Sequence, residues 1–95
     1  MKLVTIVCES YAKEAVRKLL REVGAHGCTH FAVEGDGSKG ERPADIREFA
    51  NIQIEVILPP ERADALLERL HKELFSRYAM IAYETDVRVL RADKF

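Results

Sequence analysis

The sequence predicts an α+β domain in which an antiparallel four-stranded sheet carries two helices on one face. Three observations predict it. Four short runs are rich in β-branched and apolar residues. Two longer segments repeat apolar residues at helical spacing. Along the chain these run strand, helix, strand, strand, helix, strand, which is the split βαβ or ferredoxin-like plait, βαββαβ. Right-handed crossovers then place both helices on one side, with the first and third strands central.

Lys2–Cys8 (KLVTIVC) is apolar on both faces, as expected of a central strand. Glu9-Ser10 interrupts it, and Ser10 has the chemistry of a helix N-cap. From Tyr11 to Val23 the residues Ala12, Ala15, Val16, Leu19, Leu20 and Val23 form one apolar stripe, and Gly24 supplies the stop. Arg17, Lys18 and Arg21 are interleaved with acids and read as a solvated face rather than a binding stripe. Gly27–Glu34 is the second strand, with Thr29, Phe31 and Val33 on one side and Cys28, His30 and Ala32 on the other. His30 has no partner at ligand spacing and reads as structural.

Asn51–Leu58 alternates, with Ile52, Ile54, Val56 and Leu58 facing the helices and Gln53 and Glu55 facing away. Pro59-Pro60 ends that strand and opens the second helix, with Glu61 near its positive end. Ala63, Leu66, Leu67, Leu70 and Leu74 make its buried stripe, and His71 reads as exposed. After a short connection, Met80–Leu90 is the last strand, followed by the tail Arg91–Phe95. No element remains to cover the second sheet face, which mixes apolar with polar residues. Such a face predicts self-association, with binding clefts between subunits.

Between the second and third strands lies Gly35–Glu48, too long for a hairpin turn. It holds three of the chain's five glycines, which allow unusual backbone angles and close approach of N–H groups to an oxyanion. Ser38, Lys39, Arg42 and Arg47 add hydrogen-bonding and cationic groups. The functional reading is an anion site at the base of this loop, for a nucleotide phosphate. Asp36, Glu41, Asp45 and Glu48 offset the cations, so a solvated loop without ligand is the competing reading.

Composition narrows the classes. Ninety-five residues, nearly half of them apolar, make one folded domain spanning residues 1–95. A net charge of −1 argues against avid nucleic-acid binding. No apolar run approaches the ~20 residues that span a bilayer. Met1-Lys2 leads straight into a strand with no cleavable signal pattern, so a cytoplasmic location is expected. Cys8 and Cys28 have no metal-ligand spacing, and they read as buried free thiols in a reducing compartment. Non-adjacent strands disfavour a disulfide between them.

Several chemistries are missing. There is no phosphate loop of G-x-x-x-x-G-K-[ST] form. Gly35, Gly37 and Gly40 spell G-x-G-x-x-G, but between two strands rather than before a helix, so the dinucleotide reading fails. No His/Cys cluster points to zinc. Cys8 lies in an apolar strand without a base. The central strands carry no aromatic platform for RNA. No catalytic residues are assigned, and a non-enzymatic protein is expected.

The chain resembles the PII-like signalling proteins, in particular the short group that includes SbtB and the carboxysome-associated PII-like proteins. The resemblance covers about Lys2 to Leu90. It rests on KLVTIVCE opening a helix, A-H-G-C-T beginning the second strand, GDGSKGERPADIR, NIQIEVIL, FSRYAMIAYE and DVRVL in that order. It implies a homotrimer with the open sheet faces around the threefold axis, an adenine nucleotide in each inter-subunit cleft, and a partner-facing T-loop, residues 35–48, that changes order with ligand. Carried over by position, Gly27, Cys28 and Thr29 would line the adenine pocket. Gly35, Gly37, Ser38, Lys39, Gly40 and Arg42 would meet ribose and phosphates, with Arg47 a further phosphate ligand. Tyr78, Ala79 and Met80 would close over the nucleotide. Gln53, and less directly Glu55, would reach a neighbouring subunit's site.

The chain departs from larger PII proteins in lacking the lysine- and glycine-rich B-loop, and from many SbtB proteins in lacking a cysteine-containing C-terminal extension. ADP or AMP is therefore favoured over ATP, with cyclic AMP a further candidate. Bicarbonate, linked to the carboxysome-associated group, is a small anion that Arg42 and Arg47 could hold. The implied role is regulation of a protein target, a transporter or carboxysome-associated protein, in inorganic-carbon metabolism. Two alternatives stand beside it. One is a slow nucleotide phosphohydrolase using Asp36 or Glu41 with a divalent ion. The other is a small-metabolite- or metal-binding plait of the ACT or CutA kind.

Overall fold

The computed structural model describes residues 1–37, 40–41 and 51–95. The elements are β1 (Lys2–Glu9), a 3-10 turn (Ser10–Ala12), α1 (Lys13–Glu22), β2 (Thr29–Val33), β3 (Asp36–Gly37), β4 (Gly40–Glu41), β5 (Asn51–Leu58), α2 (Pro60–Arg69) and β6 (Met80–Asp86). A π-helical turn, Leu70–Leu74, extends α2, and a 3-10 turn, Ala92–Lys94, lies in the tail. The sheet order is β2-β5-β1-β6 with antiparallel pairing throughout, so the first and third long strands are central as expected. β3 and β4 pair separately, Asp36 opposite Glu41 and Gly37 opposite Gly40.

The core lies between the sheet and the two helices. Val4, Ile6 and Cys8 of β1 and Ile52, Ile54, Val56 and Leu58 of β5 meet Val16, Leu19 and Leu20 of α1 and Ala63, Leu66, Leu70 and Leu74 of the second helix. Strand alternation sends every second residue inward, and both helical stripes fall at the anticipated positions. Gly24 takes φ +84°, with the N–H of Ala25 donating to the Leu20 carbonyl and that of Gly24 to Arg21. This Schellman arrangement needs a left-handed residue. A Cβ at Gly24 would make only ordinary contact with Arg62, so the backbone angle sets the cost. Gly24→Ala is expected to lower stability by about 1 kcal/mol, read from the urea midpoint.

Several expected boundaries move, and the second strand spans Thr29–Val33 rather than Gly27–Glu34. The last strand ends at Asp86 rather than Leu90. β6 pairs only with β1, whose first paired residue, Lys2, is opposite Asp86; the N–H of Val87 then donates to the Met1 carbonyl and the ladder ends there. Ser10 is not the helix cap: it begins the 3-10 turn that leads into α1, and Glu9 before it takes the extended cap conformation.

Surface ion pairs tie the ends of elements together. Lys2 Nζ lies 2.6 Å from Asp86, which raises the lysine pKa and lowers that of the carboxylate. Arg69 grips Glu73 on its own helix and Glu22 of α1, each at 2.7 Å, and Glu73 is held below its usual range chiefly by the Arg69 hydrogen bond.

The two cysteines are both free, as expected, with β5 between their strands. Burial, then the neighbouring Glu9 charge, pushes the Cys8 thiol up to about 11. Cys28, at the entry to an edge strand, is exposed rather than buried. Near pH 8 the buried thiol holds a thiolate fraction about a hundredfold below that of an ordinary cysteine. A disulfide reagent should therefore give one rapid thiol, absent in Cys28→Ser, and a second only on unfolding.

Candidate functional site

Register builds the open sheet face in three cross-strand rows. Phe31, Gln53, Val7 and Ile81 form one; Thr29, Glu55, Thr5 and Tyr83 the next; Ile57, Leu3 and Thr85 the third. Phe31, Ile81 and Tyr83 are 42, 58 and 48% exposed, whereas Thr5, flanked by Glu55 and Tyr83, is buried at 3%. Gln53 Nε2 donates to Glu55 Oε2 at 3.1 Å, which fixes both side chains on this face. Among the described residues nothing covers this apolar surface.

The expected nucleotide residues fall into separate groups. Gly27, Cys28 and Thr29 stand at the entry to β2, one edge of the sheet. Gly35 follows β2, and Gly37 and Gly40 pair in the small β3–β4 ribbon. A Cβ at Gly27 or Gly35 would meet nothing within 4 Å, so the protomer itself does not require glycine there. Gln53 lies on β5. Ser38, Lys39, Arg42 and Arg47 lie outside the described residues.

Tyr78, Ala79 and Met80 lead into β6, the opposite edge. The Tyr78 ring packs on Tyr11 with centroids 5.6 Å apart, and the Arg77 guanidinium carbon lies 5.3 Å from its centroid. Met80 is opposite Cys8 at the start of β6. Two strands separate the edges, a spacing of about 14 Å. One protomer therefore does not bring Gly27–Thr29 together with Tyr78–Met80.

A second feature escapes the sequence reading. Arg17, Leu20 and Arg21 of α1, the connection Ala25–Cys28, and His30 of β2 line an open groove of about 350 Å³. The sequence alone assigns Arg17 and Arg21 to a solvated face and His30 to a structural role. The available signal is the four-residue spacing of the arginines, facing a His26-to-His30 segment of the same step. Among the described residues no group of three or more His, Cys, Asp or Glu gathers at metal-binding distance, and no helix is long and apolar enough to cross a membrane.

The family model described as nitrogen regulatory protein P-II matches residues 1–94. A search of curated proteins found no match. Among solved structures, the PII-like signalling protein TTHA0516 of Thermus thermophilus is 41% identical, with a TM-score of 0.87 over 99% of this chain and 93% of its own. CPII of Thiomonas intermedia, a nitrogen regulatory PII-like protein bound to ADP, AMP and bicarbonate, is 28% identical, with a TM-score of 0.90 over 99% of this chain and 92% of its own. The apo form of CPII is 25% identical, with a TM-score of 0.74 over 93% of this chain and 89% of its own. The βαββαβ plait, the glycine-rich connection between its second and third long strands, and a family match over nearly the whole chain agree: the protein belongs to the nitrogen regulatory protein P-II family.

Proposed function

We propose that the protein is a non-enzymatic sensor that binds ADP or AMP in clefts between the subunits of a homotrimer. The observation that carries this reading is the division of the expected site over opposite sheet edges. Gly27–Thr29 of one copy can meet Tyr78–Met80 only across an interface, and the uncovered face bearing Phe31, Ile81 and Tyr83 supplies apolar surface for one. Burying such a face drives association. The ADP, AMP and bicarbonate bound by CPII support the ligand class.

In this account the Thr29 hydroxyl and the backbone of Gly27 and Cys28 hold the adenine. Gln53, fixed by Glu55, reaches across from the open face. Gly35, Gly37, Ser38, Lys39, Gly40, Arg42 and Arg47 receive ribose and phosphates, the cations through charge-assisted hydrogen bonds. Differential affinity for two arrangements of loop 35–48 then converts occupancy into a changed surface for a protein target. Bicarbonate on Arg42 or Arg47 would link that output to inorganic carbon.

Titration calorimetry with AMP, ADP, ATP and cyclic AMP tests the reading. One ADP or AMP per protomer, bound more tightly than ATP, is the expected result. No heat and no thermal shift with any of the four would overturn it.

A further inference from the structure

We infer that the groove between α1 and the entry to β2 is a second site, for a small dianion of the phosphate-monoester class. Arg17 and Arg21 reach it from successive turns of one helix, and His26 and His30 from the facing segment. Two guanidinium forks and two imidazoles can surround the three terminal oxygens of a phosphate. The volume, about 350 Å³, fits a phosphate with a small organic substituent.

The charge pattern is what sets this groove apart. Among the described residues no aspartate or glutamate lines it, in a chain with 16 acidic residues. Three cations elsewhere lie close to acids: Arg69 at 2.7 Å from Glu22 and Glu73, Lys72 at 3.3 Å from Glu68, and Lys2 at 2.6 Å from Asp86. Arg17 has only the exposed Glu14, at 3.5 Å, for an ion pair among the described residues. Like charges four apart on a helix repel, and a bound dianion removes that repulsion between Arg17 and Arg21. The C-terminal end of α1 lies nearby and its dipole opposes an anion. The opposition is weakened because the Leu19, Leu20, Arg21 and Gly24 carbonyls already accept hydrogen bonds, the last from Arg62.

The groove adjoins the proposed nucleotide cleft, sharing Gly27 and Cys28 with it, but its four polar side chains are not among the expected nucleotide residues. His30 faces the α1 side, while Thr29 shares the open face with Glu55. Arg17 and Arg21 take no part in the nucleotide reading, so the ADP affinity of their double variant tells the two sites apart.

The test is an NMR titration of the full chain with inorganic phosphate, against sodium chloride at matched ionic strength, following the Arg17 and Arg21 Nε–H and the His26 and His30 ring signals. Saturable shifts at these groups are expected, weakened about tenfold or more by Arg17→Ala/Arg21→Ala. Both positions are exposed and alanine favours helix, so thermal unfolding and ADP affinity should be unchanged in the double variant. The inference is overturned by no saturable shift up to about ten millimolar phosphate, by equal shifts with chloride, by shifts confined to Thr29 and Gln53, or by undiminished affinity in the double variant.

Discussion

Ile81→Glu is expected to give a folded monomer that no longer takes up nucleotide. Ile81 is more than half exposed in the protomer and sits in the row with Val7, Gln53 and Phe31. A carboxylate there remains solvated in the isolated chain, so its folding cost is small. At an interface the same carboxylate would be buried without a partner, at a cost of about 3–5 kcal/mol per copy. In a closed ring the penalty recurs at each subunit. Sedimentation and calorimetry on one sample measure both consequences. An assembled Ile81→Glu protein with unaltered ADP affinity would show that the open sheet face is not where the copies meet.

Leu66→Ala is expected to lower stability by about 2–5 kcal/mol, a large share of the ~5–15 kcal/mol that holds a small domain folded. Leu66 is fully buried where α2 crosses the sheet, in the cluster with Ile54, Leu58 and Leu70. The neighbouring Leu67 is only partly buried, so Leu67→Ala should cost less. Denaturant melts at one protomer concentration give the comparison, since association adds its own concentration-dependent term. Equal losses at the two positions would mean that the helix faces are misassigned.

The features legible in the sequence are those set by local periodicity. NIQIEVIL alternates strictly, and β5 spans those same residues with every second one buried. Pro59-Pro60 opens α2, and Gly24 closes α1 in the left-handed conformation that glycine tolerates. What pairing decides is less legible. DVRVL is apolar enough to extend a strand, but β6 stops at Asp86, opposite Lys2, the first residue of β1.

The site follows the same division. The distribution of the expected nucleotide residues over opposite edges follows from the β2-β5-β1-β6 order rather than from any motif. The basic groove is illegible because its parts are ordinary one at a time: two helix-surface arginines, a loop histidine and a strand histidine. Only the fold brings the end of α1 and the entry to β2 around one space. Ser38, Lys39, Arg42 and Arg47 rest on the sequence and the family alone.

The shared site is tested most directly by native mass spectrometry of the protein with ADP. The account predicts a particle of three 10.8 kDa protomers carrying three nucleotides. A lone protomer, or an assembled particle that stays empty in ADP and in AMP, would contradict it.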